Sequence, residues 1–318
     1  MTPFGVEFLH LIATFGSIMK DGNQLQTSAL TDVATFWSTH PCNSALSSEA
    51  DRRDYFLDIE QQRYKAEPHI PSVARFDEFS DRDVLEIGCG VATDGRRFAA
   101  CAANYVGINL DEGSTALARE AFAVFGLSAT VEQMNAEQMS FPDESFDHVY
   151  SFGVIHHSPD PPAIVNQMMR VLRPGGSFTV MLYNRTSINY LFEIMFLRKM
   201  LRHALRPDIA PRLLAKLTGL DPAILQRHRE ILLEGNMTHD RWVSINTDGP
   251  DCPLARVYNA REALALFSHA GFADLQTYVR FFDARHYGRM QRMFPASLIR
   301  FLGNHWGWHR MVEGRKPL

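Results

Sequence analysis

Cysteine is scarce in this sequence: there are four, at Cys42, Cys89, Cys101 and Cys252, in 318 residues, and no two form a C-x-x-C pair. That usage favours reduced thiols in a cytoplasm over a disulfide framework or a zinc site. The one H-x-E, His228-Arg229-Glu230, has no C-x-x-C to complete a zinc site and no run of clustered carboxylates occurs either, so no metal is expected. Long basic tracts are also missing. With 32 Lys and Arg against 36 Asp and Glu, the net charge of -4 offers no positive field for nucleic acid or an anionic membrane. The most apolar opening stretch, Phe4 to Met19, is broken by Glu7 and His10, lacks a basic flank and is too short to span a bilayer. It reads as a packing helix or a flexible leader. Internal repeats, heptads and low-complexity segments are absent. What is present is a chain 46% hydrophobic and 21% charged, long enough for one large domain or a domain with an appendage.

The stretch with the strongest local signal is Val84 to Gly90, VLEIGCG, followed by Val91-Ala92-Thr93-Asp94-Gly95 and an amphipathic run from Arg96 to Ala102. Strand, glycine turn and helix in that order gather backbone N–H groups over the carboxyl end of a parallel strand, where α/β sheets bind nucleotides. Glycine suits the turn because a Cβ would obstruct both a positive φ and a close ligand. A dinucleotide fingerprint needs a third glycine just behind, which this turn lacks. Instead Glu86 stands two residues before Gly88. A carboxylate there repels phosphate and suits a cationic ligand.

Beyond the turn, strand and helix patterns alternate. Tyr105 to Leu110 reads as a second strand, Ser114 to Phe125 as a helix ended by Gly126, Ala129 to Met134 as a third strand and Phe146 to Phe152 as a fourth. A helix from Pro161 to Leu172, the turn Arg173-Pro174-Gly175-Gly176 and a fifth strand, Ser177 to Leu182, follow. Such alternation means βαβ units and a doubly wound parallel sheet. Upstream, Thr31 to Pro41 is aromatic and irregular. Ser47 and Ser48 offer N-caps for a helix over Glu49 to Glu67, and a short helix, Ser72 to Phe79, follows a Pro68-His69-Ile70-Pro71 break. Trp37, Tyr55 and Tyr64 read first as core aromatics.

These residues carry a family resemblance. E-x-G-C-G after a hydrophobic strand resembles motif I of the class I methyltransferases that use S-adenosyl-L-methionine (SAM) and release S-adenosyl-L-homocysteine. FPDESFDHVYSFGVIHHSPDPP followed by RVLRPGG resembles the later block of the ubiquinone C-methyltransferase (methyltransferase type 11) group. Asn259 to Gly271 with Phe272 is similar to the helix and GF turn before that fold's antiparallel hairpin, whose strands would be Asp274 to Phe281 and Trp308 to Arg315. The resemblance implies an α/β, Rossmann-like seven-stranded sheet with an antiparallel C-terminal hairpin, N-terminal helices and a helical lid insertion. It divides the chain into a leader with cleft-covering helices (1–80), a SAM-binding core (81–183), a lid (184–257) and the completion of the core with a small helical insert (258–318).

The resemblance also implies the residues that hold SAM: Tyr64 from the Arg-Tyr pair, Glu86, Gly88, Cys89, Gly90, Thr93 and Asp94 around the first turn, Asn109 and Leu110 after strand two, Asn135, Ala136 and Glu137 after strand three, and Ser151, Phe152 and Gly153 at the end of strand four. Two of them depart from the family. An acid usually takes the ribose diol where Asn109 stands, and an Asp usually lies near the adenine where Asn135 stands. Either the amide serves, or Asp111 and Glu137 supply the carboxylates.

Methyl transfer is an in-line displacement, so the protein chiefly positions the acceptor and removes its proton. His156 and His157 after strand four and Tyr183 after strand five are the candidate catalytic residues, with Asn184, His239, Asp240 and Cys252 also near the pocket by resemblance. Either histidine is the base, or the first packs on the adenosine while only the second, or neither, meets the acceptor. Between strand five and the Asn259 helix lie helical patterns over Ile188 to Leu205, Pro211 to Thr218 and Pro222 to Leu233, whose apolar residues, Phe192 and Phe196 among them, are expected to border the acceptor or to pack on one another. A small apolar or aromatic metabolite of bacterial secondary metabolism is the expected substrate. No nucleic-acid or membrane partner is expected, and a homodimer is left open. The other readings are a SAM-fold enzyme redirected to cyclisation and a silent SAM-binding regulator.

Overall fold

The computed structural model describes residues 26–39, 41, 44–284 and 293–318. The expected element over Phe4 to Met19 lies outside them, as does the start of the expected insert at His286. Eight strands form the sheet: β1 Asp83–Ile87, β2 Asn104–Asn109, β3 Thr130–Gln133, β4 Phe146–Phe152, β5 Leu172–Asn184, β6 Val257–Tyr258, β7 Ala273–Arg280 and β8 His309–Arg315. Their order is β3-β2-β1-β4-β5-β8-β7, with the two-residue β6 paired on β5. The pairs from β3 through β5 are parallel, and β8 runs antiparallel to both β5 and β7.

Alternation along the strands explains the two covered faces. Leu85, Ile87, Val149, Val180 and Leu182 pack with Ile164, Val165, Met168, Ala263 and Phe267 of α6 (Pro161–Val171) and α11 (Ala260–Ser268). Their neighbours Val84 and Tyr150 point the other way, to Phe98, Ala118 and Phe122 of α4 (Thr93–Ala100) and α5 (Glu112–Phe125). Successive strand side chains face opposite sides, so each central strand feeds both layers. Caps set the helix starts: Asp111 accepts from Ser114 N–H at α5, and Asn259 and Glu262 form a capping box at α11.

Several boundaries differ from the sequence expectation. Residues 26–39 are a helix, α1, rather than irregular chain. Its threonines turn inward on the backbone, Thr31, Thr35 and Thr39 each donating to the carbonyl four residues earlier at 2.8–3.1 Å. Helix α2 spans Arg52–Ala66 and starts after Asp51, whose carboxylate accepts from Arg53 and Asp54 N–H, so Ser47 and Ser48 are not its caps. The expected Ser72 to Phe79 helix is two pieces, α3 Ile70–Ala74 with its proline in the first turn and a 3₁₀ turn, Phe76–Phe79, divided by left-handed Arg75. Strand β5 begins at Leu172, ahead of the Pro174-Gly175-Gly176 turn.

The insertion between β5 and β6 is a π-helical segment, Asn189–Arg198, running into α7 Lys199–Leu201, then α8 Ala210–Thr218, α9 Pro222–Glu234 and α10 His239–Thr247. Tyr190, Ile194, Trp242 and Val243 turn inward onto Tyr183, Trp308 and Met311. Phe192 and Phe196, expected to border the acceptor or to pack on one another, do not line the cleft at the carboxyl ends of β1 to β4: their rings stack on each other with centroids 5.8 Å apart, 49% and 56% exposed. Helix α12, Ala296–Trp306, covers β7 before the last strand. Among the described residues no helix is long and apolar enough to cross a membrane.

Candidate active site

A cleft with about 860 Å³ of empty space, its open mouth included, lies at the carboxyl ends of β1, β2, β3 and β4. Gly88 and Gly90 form its floor with φ of +73° and +55°, the left-handed geometry anticipated for the turn. Asn109, Leu110 and Asp111 line one wall, Asn135, Ala136 and Glu137 the next, and Phe152, Gly153, Val154, His157 and Ser158 the third. The fourth wall is α1: Leu30, Val33 and Trp37, spaced i, i+3 and i+7, present one helical face to the cleft. Gln26 extends that cover, its amide 3.5 Å from carboxylate oxygens of both Glu137 and Asp160.

Other sequence-picked residues sit behind the floor. Glu86 is buried and accepts a hydrogen bond from Tyr105 Oη at 2.6 Å. Burial, with Asp94 nearby, pushes its carboxyl up to about 8. Asp94 accepts from Arg63, Tyr64 and Tyr150 at 2.9–3.0 Å, so Tyr64 holds the start of α4 rather than lining the cleft. Thr93, Cys89 and Ser151 are buried, and Ser151 Oγ donates to Ile87 O at 3.1 Å, tying β4 to β1.

The three candidate catalytic residues do come together. His156 packs at a tilt against Tyr183, with ring centroids 3.9 Å apart, and against His157 at 4.3 Å. His156 is wholly buried, its two ring nitrogens have no partner among the described residues, and desolvation with His157 alongside holds its imidazole well below the ordinary range. It is therefore a neutral packing ring that does not reach the cleft. His157 does reach it, with Trp37 edge-on at 5.3 Å. Tyr183 is turned away and donates to Asp248 at 2.7 Å. Asn184 braces the sheet, binding Gly307 O and accepting from Arg310, while His239 lies near Tyr190 Oη in the insertion.

Residues 85–180 match the family model of the methyltransferase domain. Over these residues the chain is similar to a methyltransferase domain. The surrounding relatives agree in kind. A ubiquinone biosynthesis O-methyltransferase of Pseudomonas aeruginosa is 33% identical over 116 residues, 36% of this chain and 50% of that protein. A sterol 24-C-methyltransferase of Aspergillus fumigatus is 32% identical over 127 residues, 36% of this chain and 34% of that one. A protein of Mycolicibacterium smegmatis named as a probable S-adenosylmethionine-dependent methyltransferase is 35% identical over 108 residues, 34% of this chain and 40% of that one. The chain thus spans half or less of the length of these curated relatives.

The donor that a methyltransferase domain of this kind implies is SAM, and the residues present fit it. Side-chain-free floor at Gly88 and Gly90, apolar Leu110 and Ala136, and carboxylates at Asp111 and Glu137 suit a nucleoside. Behind the floor, the buried Thr93 hydroxyl at the N-terminus of α4 has no partner among the described residues, and Glu86 is a carboxyl that a nearby cation would hold ionised. Of the residues that sequence reasoning missed, Leu30, Val33 and Trp37 had a signal in their helical spacing.

Proposed function

We propose that this chain is a SAM-dependent methyltransferase whose acceptor is a small, largely apolar or aromatic molecule. The observation that carries the reading is the convergence, in a matched methyltransferase domain, of the glycine floor, the β2 and β3 termini, His157 and the α1 face on one cleft. When bound, SAM supplies an electrophilic methyl group. Asp111 and Glu137 orient the nucleoside, Leu30, Val33 and Trp37 exclude water, and His157 takes the proton of a hydroxyl or thiol acceptor. The acceptor class is supported by the apolar lining and by relatives whose names concern ubiquinone and sterol biosynthesis. Assignment to bacterial secondary metabolism and to the cytoplasm rests on likeness at Arg256 to Tyr258, the Gly271-Phe272 turn and the Trp308 strand, and on the scarce cysteines. The test is S-adenosylhomocysteine release over an acceptor panel of phenols, thiols and amines with the full chain. Acceptor-dependent release supports the reading. Tight SAM binding with no release across the panel would favour the redirected or regulatory reading instead.

A further inference from the structure

Two buried acceptor atoms face one another. His157 Nδ1 lies 2.6 Å from Leu254 O, which can only accept, so that nitrogen carries the proton and Nε2 presents a lone pair. Across from it, 3.5 Å away, is Oδ2 of Asp248. Among the described residues neither atom has a hydrogen-bond partner, and His157 is only 3% exposed. The other oxygen of Asp248 is held by Tyr183 Oη, which fixes the carboxylate's direction. A lone pair and a carboxylate oxygen repel unless positive charge sits between them, either a second imidazole proton or a metal ion. The third group at the spot decides between these. The thiol of Cys252, buried and four residues beyond Asp248, brings the three donor atoms within 4.8 Å of one another.

We propose that His157 Nε2, Asp248 and Cys252 Sγ form a binding site for a divalent cation of the zinc class. A mixed nitrogen, oxygen and sulfur donor set selects zinc over magnesium or calcium, which prefer oxygen alone. Bonds of about 2.0 Å to nitrogen and oxygen and about 2.3 Å to sulfur put tetrahedral ligand atoms roughly 3.3–3.6 Å apart. The His157 and Asp248 atoms already stand at that separation, and the thiol reaches it by turning in from Leu254 O, to which it donates at 3.6 Å. On binding, the Cys252 S–H bond breaks, its proton goes to solvent and the sulfur lone pair forms the bond to the metal. The Asp248 and Cys252 charges then balance the ion. The Leu254 carbonyl on Nδ1 and the Tyr183 hydroxyl on Asp248 act as outer partners that orient the ligands. Three protein donors leave a position for water or for an acceptor atom entering along the cleft; with the ion bound, Nε2 is no longer a base and the ion lowers the acceptor's pKa in its place, and only this last consequence rests on the methyl-transfer reading.

The experiment uses the full chain, stripped by a chelator, with zinc alone and then cobalt alone, without SAM or any acceptor. The expected result is one ion per chain, and for cobalt a thiolate-to-metal absorption band. Cys252→Ala should abolish the band and weaken zinc binding by about 100-fold or more, while Cys89→Ala and Cys101→Ala keep the band. Asp248→Asn retains the shape of the side chain and should weaken zinc binding with the circular dichroism spectrum unchanged. Failure of the wild-type chain to take up stoichiometric zinc overturns the site, as does a cobalt band that survives in Cys252→Ala. If neither variant folds, wild-type stoichiometry and the presence of the thiolate band decide alone. Because no methyl donor is in the assay, metal binding and methyl transfer succeed or fail separately.

Discussion

The side-chain amide of Asn109 closes on the backbone of Gly90 from both sides, Oδ1 accepting from its N–H at 2.8 Å and Nδ2 donating to its carbonyl at 3.0 Å. The end of β2 is thereby latched to the loop after β1, and the amide is spent on the latch. Asp111, two residues on, lines the cleft and uses one oxygen to cap Ser114 N–H. The sequence left open which of the two meets the ribose; the geometry favours Asp111.

Asn109→Asp should therefore weaken SAM binding, although Asp is the family's usual residue there. It would set a carboxylate oxygen against Gly90 O and leave that carbonyl without its donor, at a cost of about 1–3 kcal/mol. Asp111→Asn keeps the cap, since Asn caps as well as Asp, but replaces a charge-assisted bond by a neutral one. Its Kd for SAM should rise roughly tenfold, corresponding to about 1.4 kcal/mol. Calorimetric titration of both variants checks this, and a silent Asp111→Asn would return the ribose to the end of β2.

How much could be read beforehand depended on the length scale of each interaction. The strand pattern and the glycine turn are local, so Val84 to Leu182 was legible nearly element by element. Asn109's partner is Gly90, nineteen residues earlier, and no local pattern reports a side chain folding back onto a neighbouring loop. Helix α1 was hidden because threonine and aromatic residues have poor helix propensity, and packing of Leu30, Val33 and Trp37 on the cleft outweighs it. Phe192 and Phe196 stayed ambiguous for the opposite reason: composition marks the segment as apolar but does not say which of its faces turns inward, and the two rings stack on each other.

Glu86 should make the free protein less stable as pH rises. Its carboxyl is pushed up to about 8, above the 4.5 of an ordinary glutamate. Between those values the unfolded chain has lost the proton that the folded chain still holds, so the folded state binds more protons and its stability falls as pH rises. Below about 4.5 both states are protonated, and above about 8 both are ionised, so the loss then levels off. Thermal melts of the ligand-free protein should show a Tm falling by at least a few degrees, about 2–4 °C per kcal/mol, from mildly acid to mildly alkaline pH. Glu86→Gln should flatten that part of the profile. An equally steep profile in Glu86→Gln would assign the effect to another group.

The two adjacent histidines should separate cleanly. His156 is neutral, buried and packed on Tyr183, so His156→Phe should preserve the pH dependence of kcat even if it shifts stability. His157 faces the cleft, and His157→Ala should lower kcat by about 100 to 10,000 fold for a hydroxyl or thiol acceptor, with SAM affinity close to wild type. An acceptor that arrives already ionised would erase that loss. Measuring a phenol and a more acidic nitrophenol side by side distinguishes proton removal from simple positioning.

Gly88 is held in place by a side chain from across the cleft. A Cβ built on it would lie 2.6 Å from Cγ1 of Val154 and closer still to Cγ2, and the residue's φ is +73°. The two penalties are separable. The left-handed backbone costs a non-glycine residue about 1–2 kcal/mol wherever its side chain goes, whereas the clash depends on Val154 alone. Gly88→Ala should thus destabilise the chain and weaken SAM binding by both routes. Val154→Ala alone opens space beside the cleft and should cost only the burial of its lost methyl groups, about 1–2 kcal/mol. In Gly88→Ala/Val154→Ala the clash is gone and the backbone penalty stays, so the double variant should be more stable than the sum of the two losses, with a coupling of about 0.5–3 kcal/mol. Urea unfolding of the four proteins gives this coupling directly. Strict additivity would mean that Val154 swings away from Gly88 freely and that the turn is constrained by its backbone alone. In that case Gly88→Ala should still impair SAM binding, because the strained turn carries Gly90, and with it the Asn109 latch, out of register with the β2 wall.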